Sequence, residues 1–231
     1  MIGRAAAVVL LLAVVASCGT GTGGGRASLW ITRDRGAHVL KVTHVPAGLT
    51  AIQALERVAH VSTRYGGRYV EAIDGIRGSL TAQHDWFYFV NGYEADRSAA
   101  EYRLHAGDVE WWDFRGWRHA IHVPVVVGAF PEPFVHGWNG HRRPAVVEYD
   151  ERTRRDAAVV ARRIGARLAP VGSRVVPDAN VLVLECPQYP ASPRITAGMR
   201  GGDGVGAPVR FTVVCEPNFE RRARFHYRVT F

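Results

Sequence analysis

Short apolar runs alternate with turn residues in the first half of the chain and predict short strands around one helix. Leu29–Arg33 and His38–Val45 are strand-like, and the intervening Asp34-Arg35-Gly36 indicates a hairpin. The sequence from Thr50 to Gln53 has a capping-box pattern, after which apolar residues recur at helical spacing, and Gly66-Gly67 is expected to end the helix. Three further strand-like runs follow: Tyr69–Ile73, Trp86–Val90 and Val109–Phe114.

The second half of the chain also contains both strand-like and helix-like patterns of apolar residues. Residues 145–149 and 181–186 are strand-like and flank a helix that is expected to begin near Thr153. This order predicts a βαβ unit with a right-handed crossover. Val209–Cys215 is another apolar run, and residues 224–231 alternate apolar with polar side chains, which is typical of an antiparallel strand with one buried face.

The order of these elements predicts the fold class and the domains. A hairpin, a helix packed across the sheet and then further strands is the order of a β-grasp-like fold. We therefore expect an α+β protein with a β-grasp-like domain over residues 29–116. A smaller-sheet α/β domain, formed by the βαβ unit and antiparallel strands, is expected over residues 117–231, and its pattern indicates no role.

Bulky rings occupy both faces of the first predicted sheet. Because side chains alternate along a strand, Trp86 and Tyr88 share one face while Phe87 takes the other. In the same way Trp111 and Trp112 point to opposite faces. One helix covers only one face, and a large bare apolar patch is rare on a monomer. The second face is therefore covered by the C-terminal domain, a partner protein or a flat apolar ligand, and the sequence leaves these three open.

The N-terminus has the pattern of an export signal. Arg4 precedes an apolar run over residues 5–16, and small residues follow it. This segment resembles a bacterial lipobox, so we expect residues 1–17 to be a lipoprotein signal peptide and Cys18 to be the lipid attachment site. Residues 18–28 are then a Gly-rich tether at the extracytoplasmic face of the bacterial membrane. The alternative is an ordinary cleaved signal that contains a cysteine.

The composition describes a basic globular protein, with 47% hydrophobic and 22% charged residues and a formal net charge of +8. This composition excludes a disordered or collagen-like chain. At the outer surface of a membrane, the positive charge faces anionic lipid or cell-wall polymer. We therefore expect no nucleic acid among the partners.

Cys186 and Cys215 each end an apolar run. Because an exported protein meets oxidising conditions, we expect them to form a disulfide. The alternative is a pair of buried free thiols on neighbouring strands. No CxxC pattern or nearby histidine pair accompanies the two cysteines in the sequence, so we expect no metal site there.

The sequence offers little evidence of catalysis. It has no GxSxG or HExxH motif and no cysteine with a catalytic histidine pattern. His119 and His122 fall on opposite sides of a strand, and His136 with His141 lies in a loop rich in Pro, Gly and Trp. We therefore expect no enzyme activity, no resident cofactor and no catalytic residues.

A family resemblance rests on motifs that occur in order along the first half. They are Leu49–Leu55, Tyr65-Gly-Gly, Ile73-Asp-Gly75, Trp86-Phe-Tyr-Phe-Val-Asn-Gly92 and Ala106-Gly-Asp-Val-Glu-Trp111. Together they resemble the transcobalamin-like C-terminal domain family found on bacterial surface proteins, over about two fifths of the chain. The resemblance implies a β-grasp-type domain that binds a soluble ligand. It places Trp86, Tyr88, Asn91 and Tyr93 beside the ligand, and we add Trp111 to this predicted ligand-binding set.

The sequence departs from the family pattern in two respects. Residues 94–104 lack a glycine that is often present there, which affects the expected shape of the ligand-facing loop. The larger α domain that forms most of the cobalamin site in transcobalamins is not visible in this chain. A cobalamin-like ligand is thus one candidate among small molecules.

These observations lead to two hypotheses of function. The first is a cell-surface lipoprotein that binds a small soluble molecule non-covalently through an aromatic sheet face. The second is an envelope interaction protein whose aromatic face docks a partner protein or its own second domain. In both, the lipid anchor attaches the protein to the membrane.

Overall fold

The computed structural model describes residues 24–188, 191–202 and 204–230. In this part of the chain the helices are α1 (Ala51–Glu56), α2 (Arg154–Ile164) and α3 (Phe219–Ala223). The strands are β1 (Arg26–Arg33), β2 (His38–Pro46), β3 (Val61–Arg64), β4 (Tyr69–Ile73), β5 (Ile76–Arg77), β6 (His84–Val90), β7 (Tyr93–Glu94), β8 (Val109–Gly116), β9 (Ala145–Tyr149), β10 (Arg167–Pro170), β11 (Asn180–Glu185), β12 (Arg194–Met199), β13 (Val209–Val214) and β14 (Val229–Thr230). This mixture confirms the predicted α+β class.

The first half forms a five-stranded mixed sheet in the order β2-β1-β8-β6-β7. The central strands β1 and β8 are parallel, while β2 and β6 flank them in antiparallel pairs. Strand β1 begins at Arg26, so residues 26–28 of the predicted tether belong to this sheet. The predicted signal peptide and the lipid attachment site Cys18 lie outside the described residues.

Helix α1 begins as predicted but is much shorter. The Thr50 hydroxyl accepts from the Gln53 amide and the Gln53 side chain accepts from the Thr50 amide, which completes the capping box. The helix ends at Glu56 rather than near Gly66, because Val61–Arg64 forms β3 against β4. The β-branched Val61 and Thr63 favour this extended conformation. Strands β3, β4 and β5 form a separate three-stranded sheet.

The second half forms a six-stranded sheet in the order β10-β9-β11-β13-β12-β14. The βαβ unit is present, but α2 leads from β9 to β10, and β11 then pairs with the other side of β9. The apolar pattern does not separate β10 from the preceding helix, because Leu168 continues the helical spacing of Ala161 and Ile164. Gly165 adopts a left-handed conformation with φ 61° and ends α2 before that residue.

The predicted strand over residues 224–231 is largely wrong. Helix α3 precedes this segment, and within the described residues 224–230 only Val229–Thr230 pairs with β12. Phe225 and Tyr227 instead approach residues 127 and 128: the Phe225 amide donates to the Gly128 carbonyl, and the Val127 amide donates to the Tyr227 carbonyl. The alternation of apolar side chains thus belongs to a segment that docks on the first half. Residues 225–227 are named the C-terminal cover below.

Residues 117–144 connect the two large sheets and pack against both. The Val126 amide donates to the Gly92 carbonyl in the first half, while Phe134 packs edge-on against Phe211 of β13 with ring centroids 5.2 Å apart. One cluster of buried apolar side chains runs through both halves. No helix in the described residues is long and apolar enough to span a membrane.

The predicted disulfide between Cys186 and Cys215 is confirmed. It joins the residues that follow β11 and β13, which are neighbouring parallel strands. The Cα atoms of the two cysteines lie 4.5 Å apart.

Candidate functional site

Strand register separates the aromatic rings of the five-stranded sheet into two groups. Tyr88 pairs with Trp112 and Trp86 with Phe114, and these four rings define the front face of the sheet. On the opposite side, Phe89 pairs with Trp111, and Trp111 also pairs with Trp30 of β1. These three rings define the back face. Trp111 therefore lies on the opposite side of the sheet from Trp86 and Tyr88.

The back face is closed by other segments of the same chain. Tyr227 of the C-terminal cover packs edge-on against Phe89 and Trp111, with ring centroids 5.1 and 5.4 Å apart. Phe225 packs edge-on against Trp30 at 4.7 Å. Val126 and Ala129 of the connecting segment complete this cluster. Of the three covers considered from the sequence, the second half of the chain is the one that covers this face.

Charged side chains on the back face also form hydrogen bonds with other groups of the protein. The Asp113 carboxylate accepts from the Thr32 hydroxyl at 2.5 Å and from the Gly36 amide at 3.1 Å. The fully buried Arg115 guanidinium donates to the carbonyl oxygens of Ala120 and Ile121 at 2.7 and 2.9 Å. The back face is therefore part of the interior.

The front face borders a cavity of about 330 Å³, which we name the front cavity. Its floor contains the Tyr88 and Trp112 rings, which stack with centroids 4.9 Å apart and an interplanar angle of 20°. Trp86 also lines the cavity, and its indole N–H is fixed by donation to the Ile76 carbonyl at 2.8 Å. Tyr69 and Val70 of β4 form another part of the wall.

The rim of the front cavity is polar and held by specific hydrogen bonds. The Tyr88 hydroxyl donates to the Arg97 carbonyl at 2.5 Å, and the Ser98 hydroxyl donates to the Arg68 carbonyl at 2.9 Å. The Arg97 Nε atom lies 3.1 Å from an Asp96 carboxylate oxygen. The segment that departs from the family pattern thus forms this rim, and two arginines place cationic charge beside the aromatic floor.

A buried acid lies on the same side of the sheet as this aromatic floor. Glu110 is fully buried, and one of its carboxylate oxygens accepts from the Trp112 indole N–H at 2.6 Å. The other oxygen has no hydrogen-bond partner among the described residues. Burial raises the pKa of Glu110 well above its usual value, and the nearby Asp108 charge raises it further. A neutral carboxyl is therefore favoured there. Sequence analysis missed Glu110, although an acid inside the apolar run from Val109 to Phe114 was a visible signal.

Of the five predicted ligand-binding residues, only Trp86 and Tyr88 line the front cavity. Trp111 is fully buried on the back face, where its indole N–H donates to the Thr32 hydroxyl at 2.7 Å. Its neighbour Trp112 lies on the front face and lines the front cavity, where the sequence predicts Trp111. Strand alternation predicts that the two tryptophans point to opposite faces of the sheet. The register of β8 against β6 decides which of them shares a face with Trp86 and Tyr88.

Asn91 and Tyr93 lie in the interior towards the second half. The Asn91 side chain donates to Asp108 and to the Gly137 carbonyl, both at 2.7 Å, and is fully buried. The Tyr93 hydroxyl donates to the Ala207 carbonyl at 2.8 Å. These two side chains therefore hold the turn after β6 against the second half, and the structure does not bring them to the front cavity.

The described residues contain no group of three or more His, Cys, Asp or Glu side chains that could hold a metal ion. His136 Nδ1 lies 2.5 Å from a carboxylate oxygen of the buried Glu132. Its backbone amide also donates to the same carboxylate. This pair fixes the loop that contains it.

Comparison with known proteins gives limited matches. Residues 48–116 match the model of a family described as a domain of unknown function, DUF4430. No curated protein matches the sequence. A structure of haptocorrin in complex with Cbi is 14% identical, covering 39% of this chain and 25% of the haptocorrin chain, with a TM-score of 0.33.

A second solved structure is a protein from Ruminococcus gnavus whose description suggests metal binding. It is 11% identical, covering 40% of this chain and 97% of that chain, with a TM-score of 0.31. This chain therefore spans about a quarter of haptocorrin and nearly all of the Ruminococcus gnavus protein. Likenesses at these TM-scores carry no weight for the function of this chain.

Proposed function

We propose that this protein binds a small soluble molecule non-covalently in the front cavity and does not convert it chemically. The supporting observation is that the chain covers the back face of the aromatic sheet but leaves a cavity of about 330 Å³ beside Trp86, Tyr88 and Trp112. This volume falls within the range of about 300–1,000 Å³ that is usual for small-molecule sites.

The lining of the front cavity favours a ligand with a flat apolar part and a hydrogen-bond acceptor. The edges of Trp86 and Trp112 and the ring of Tyr88 provide the apolar contact. Arg68 and Arg97 provide donors at the rim, where they are solvated and able to orient an acceptor group. A corrinoid is one candidate, by the family resemblance of the first half.

The proposal includes attachment to the extracytoplasmic face of a bacterial membrane through a lipid on Cys18. It rests on the sequence pattern of residues 1–18. Mass spectrometry of the protein from its native membrane is expected to show a diacylglycerol adduct on an N-terminal Cys18. A mature chain that begins elsewhere, or carries no lipid, would contradict this part of the proposal.

Binding is tested by ligand-dependent thermal stabilisation of the purified protein, with corrinoids among the compounds. A ligand at 100 times its Kd stabilises the folded state by about 2.7 kcal/mol. Ala95 lines the front cavity and is half-buried, so Ala95→Trp is expected to fill the cavity and remove the stabilisation. Ala82→Trp, at an exposed turn outside the cavity, is the matched control and is expected to retain it.

Equal stabilisation of the Ala95→Trp variant and the native protein would show that the ligand binds elsewhere. If no compound stabilises the native protein, the second candidate function gains weight. That candidate is docking of an envelope protein, and it is favoured by β2, an edge strand that exposes Val39, Leu40 and Val42. Removal of these side chains would then abolish co-purification of the partner.

A further inference from the structure

A second cavity lies in the second half, at the carboxyl ends of its parallel strands. Helix α2 leads from β9 to β10 on one side, and the chain then returns to β11 on the other side of β9. The crevice beyond such strand ends, where the order reverses, is the usual ligand site of open α/β sheets. The structure has a cavity of about 500 Å³ beyond the ends of β11 and β13 and beside the start of α2, which we name the strand-end cavity.

The strand-end cavity has an apolar floor and is bordered by two helices. Its floor side chains come from α2, β11, β13 and α3, and they are Val160, Leu184, Val213 and Phe219. All four are buried. The Cys186–Cys215 disulfide forms another part of the wall and joins the two strand ends. Apolar contact is therefore available to the body of a ligand.

The N-terminus of α2, which would otherwise favour an anion, is already occupied by a carboxylate. Asp150 accepts hydrogen bonds from the backbone amides of Arg152 and Thr153, both at 3.0 Å, and from the Thr153 hydroxyl at 2.9 Å. It also accepts from the Cys186 amide. Burial alone would raise the pKa of Asp150, but these hydrogen bonds lower it overall. Because the Asp150 carboxylate already compensates the helix dipole, an anionic ligand would gain little binding free energy at the N-terminus of α2.

The rim of the strand-end cavity is acidic, although the whole chain is basic. Four carboxylates line it against two guanidinium groups: Asp156, Glu185, Glu216, Glu220, Arg152 and Arg221. Glu220 pairs with Arg163 at 2.6 Å and Glu216 with Arg222 at 3.8 Å. The side-chain carboxylates of Asp156 and Glu185 have no hydrogen bond or ion pair to the other described residues. Two carboxylates are therefore available to a ligand.

We propose that the strand-end cavity binds a small organic cation with an apolar body, with the cationic group beside Asp156 and Glu185 and the body on the apolar floor. This site is separate from the front cavity and does not depend on the function proposed for it. A primary amine suits this lining chemically, because its ammonium has three donors for hydrogen bonds to carboxylates.

The test compares three probes of equal length and different charge: 4-phenylbutylamine, 4-phenylbutan-1-ol and 4-phenylbutanoate. Binding to the isotope-labelled full chain is measured by two-dimensional amide NMR. The amine is expected to shift resonances around residues 152–160 and 215–221 saturably. Because the ammonium forms charge-assisted hydrogen bonds to the carboxylates, its affinity is expected to exceed that of the alcohol by at least about tenfold. The carboxylate probe is expected to bind most weakly.

Substitutions at the rim test whether its carboxylates cause the preference of the cavity for a cationic probe. Asp156→Asn combined with Glu185→Gln is expected to reduce the amine to the affinity of the alcohol. Glu151→Gln is the matched control, since Glu151 is exposed next to the same helix but does not line the cavity. The Ala95→Trp variant, which fills the front cavity, is expected to leave amine binding unchanged.

Each of these outcomes would overturn the proposal: equal affinity for the three probes, no saturable binding of the amine, or an equal loss of affinity in the Glu151→Gln control. Shifts confined to the front cavity would also overturn it. Since the two sites are read through different variants, failure of one proposal is distinguishable from failure of the other.

Discussion

The two faces of the five-stranded sheet receive similar rings from the same strands but have different surroundings. On the back face, Trp30, Phe89 and Trp111 meet the C-terminal cover and residues of the connecting segment. On the front face, Tyr88 and Trp112 stack beside a cavity. Alternation along a strand therefore assigns a ring to a face of the sheet. It does not determine whether that face becomes part of the interior or lines a binding site, because this depends on segments that are distant in the sequence.

Buried polar atoms without a hydrogen-bond partner occur on both faces. Asp113 on the back face accepts hydrogen bonds from Thr32, Arg35 and Gly36. Among the described residues, one oxygen of Glu110 on the front side has no partner, and neither do the Arg115 Nε atom and the Tyr227 hydroxyl on the back face. An incompletely satisfied buried group costs stability. Both faces carry this cost, so the front face is distinguished by its cavity and not by its buried polar groups.

The largest effect is expected when the closure of the back face is removed. Tyr227→Ala deletes a buried ring between Phe89 and Trp111, and such truncations cost about 3–5 kcal/mol. Urea denaturation measures the loss in the free energy of unfolding. Tyr65→Ala is the matched control, because Tyr65 is 78% exposed, and it is expected to change stability by less than about 0.5 kcal/mol. Similar effects of both substitutions would contradict the assignment of the back face to the interior.

A slightly smaller effect is expected when the disulfide is removed. Cys186 and Cys215 are 29 residues apart, so the link restricts a loop whose closure is worth about 3–4 kcal/mol. The double substitution Cys186→Ser, Cys215→Ser is expected to lower the free energy of unfolding by this amount, and a reductant should have no further effect on that variant. Fluorescence of the back-face tryptophans will show whether the C-terminal cover also loosens. Unchanged stability would contradict the expectation.

The smallest effect is expected at Glu110 and depends on pH. Its pKa is raised in the folded state, so the stability linked to its protonation is fully present below the unfolded pKa and lost as pH rises towards the folded pKa. Glu110→Gln mimics the neutral form and retains an acceptor for Trp112. At pH 7 this variant is expected to be more stable than the native protein, because the native chain must take up a proton or keep a buried charge when it folds.

The control for this prediction is the pH dependence itself. Below about pH 4 the carboxyl is protonated in both folded and unfolded chains, so the advantage of Glu110→Gln should vanish. Denaturation at pH 4 and pH 7 measures the difference. Glu151→Gln changes an exposed acid and is expected to give no such pH-dependent gain. A Glu110→Gln variant that is less stable at pH 7 would refute the raised pKa.

Local patterns in the sequence predicted much of the fold. The strands β6, β8 and β11 follow from side-chain periodicity and the capping box at Thr50 from a local motif, while the disulfide follows from two cysteines in a chain whose N-terminus has the pattern of an export signal. The length of α1 was overestimated because the pairing of β3 with β4 is not local. Strand β10 was missed because it is short and directly follows a helix.

The candidate site was only partly predictable. The family resemblance places Trp86 and Tyr88 beside the ligand, and strand parity puts them on one face. Trp112 rather than Trp111 completes that face, because the register of β8 against β6 decides it. Asn91 and Tyr93, which the family resemblance places beside the ligand, are interior contacts with the second half. Such contacts depend on residues 137 and 207, which no local pattern connects to the turn.

The late position of the C-terminal cover in the chain has a consequence for the order of folding. Trp30 is among the first described residues to be synthesised, and Phe225 and Tyr227 are among the last. Until they arrive, the nascent sheet presents its rings to solvent, where they can associate with other chains. Such a long sequence separation slows folding. A chaperone that shields aromatic surface is therefore expected to increase the yield of native protein during production.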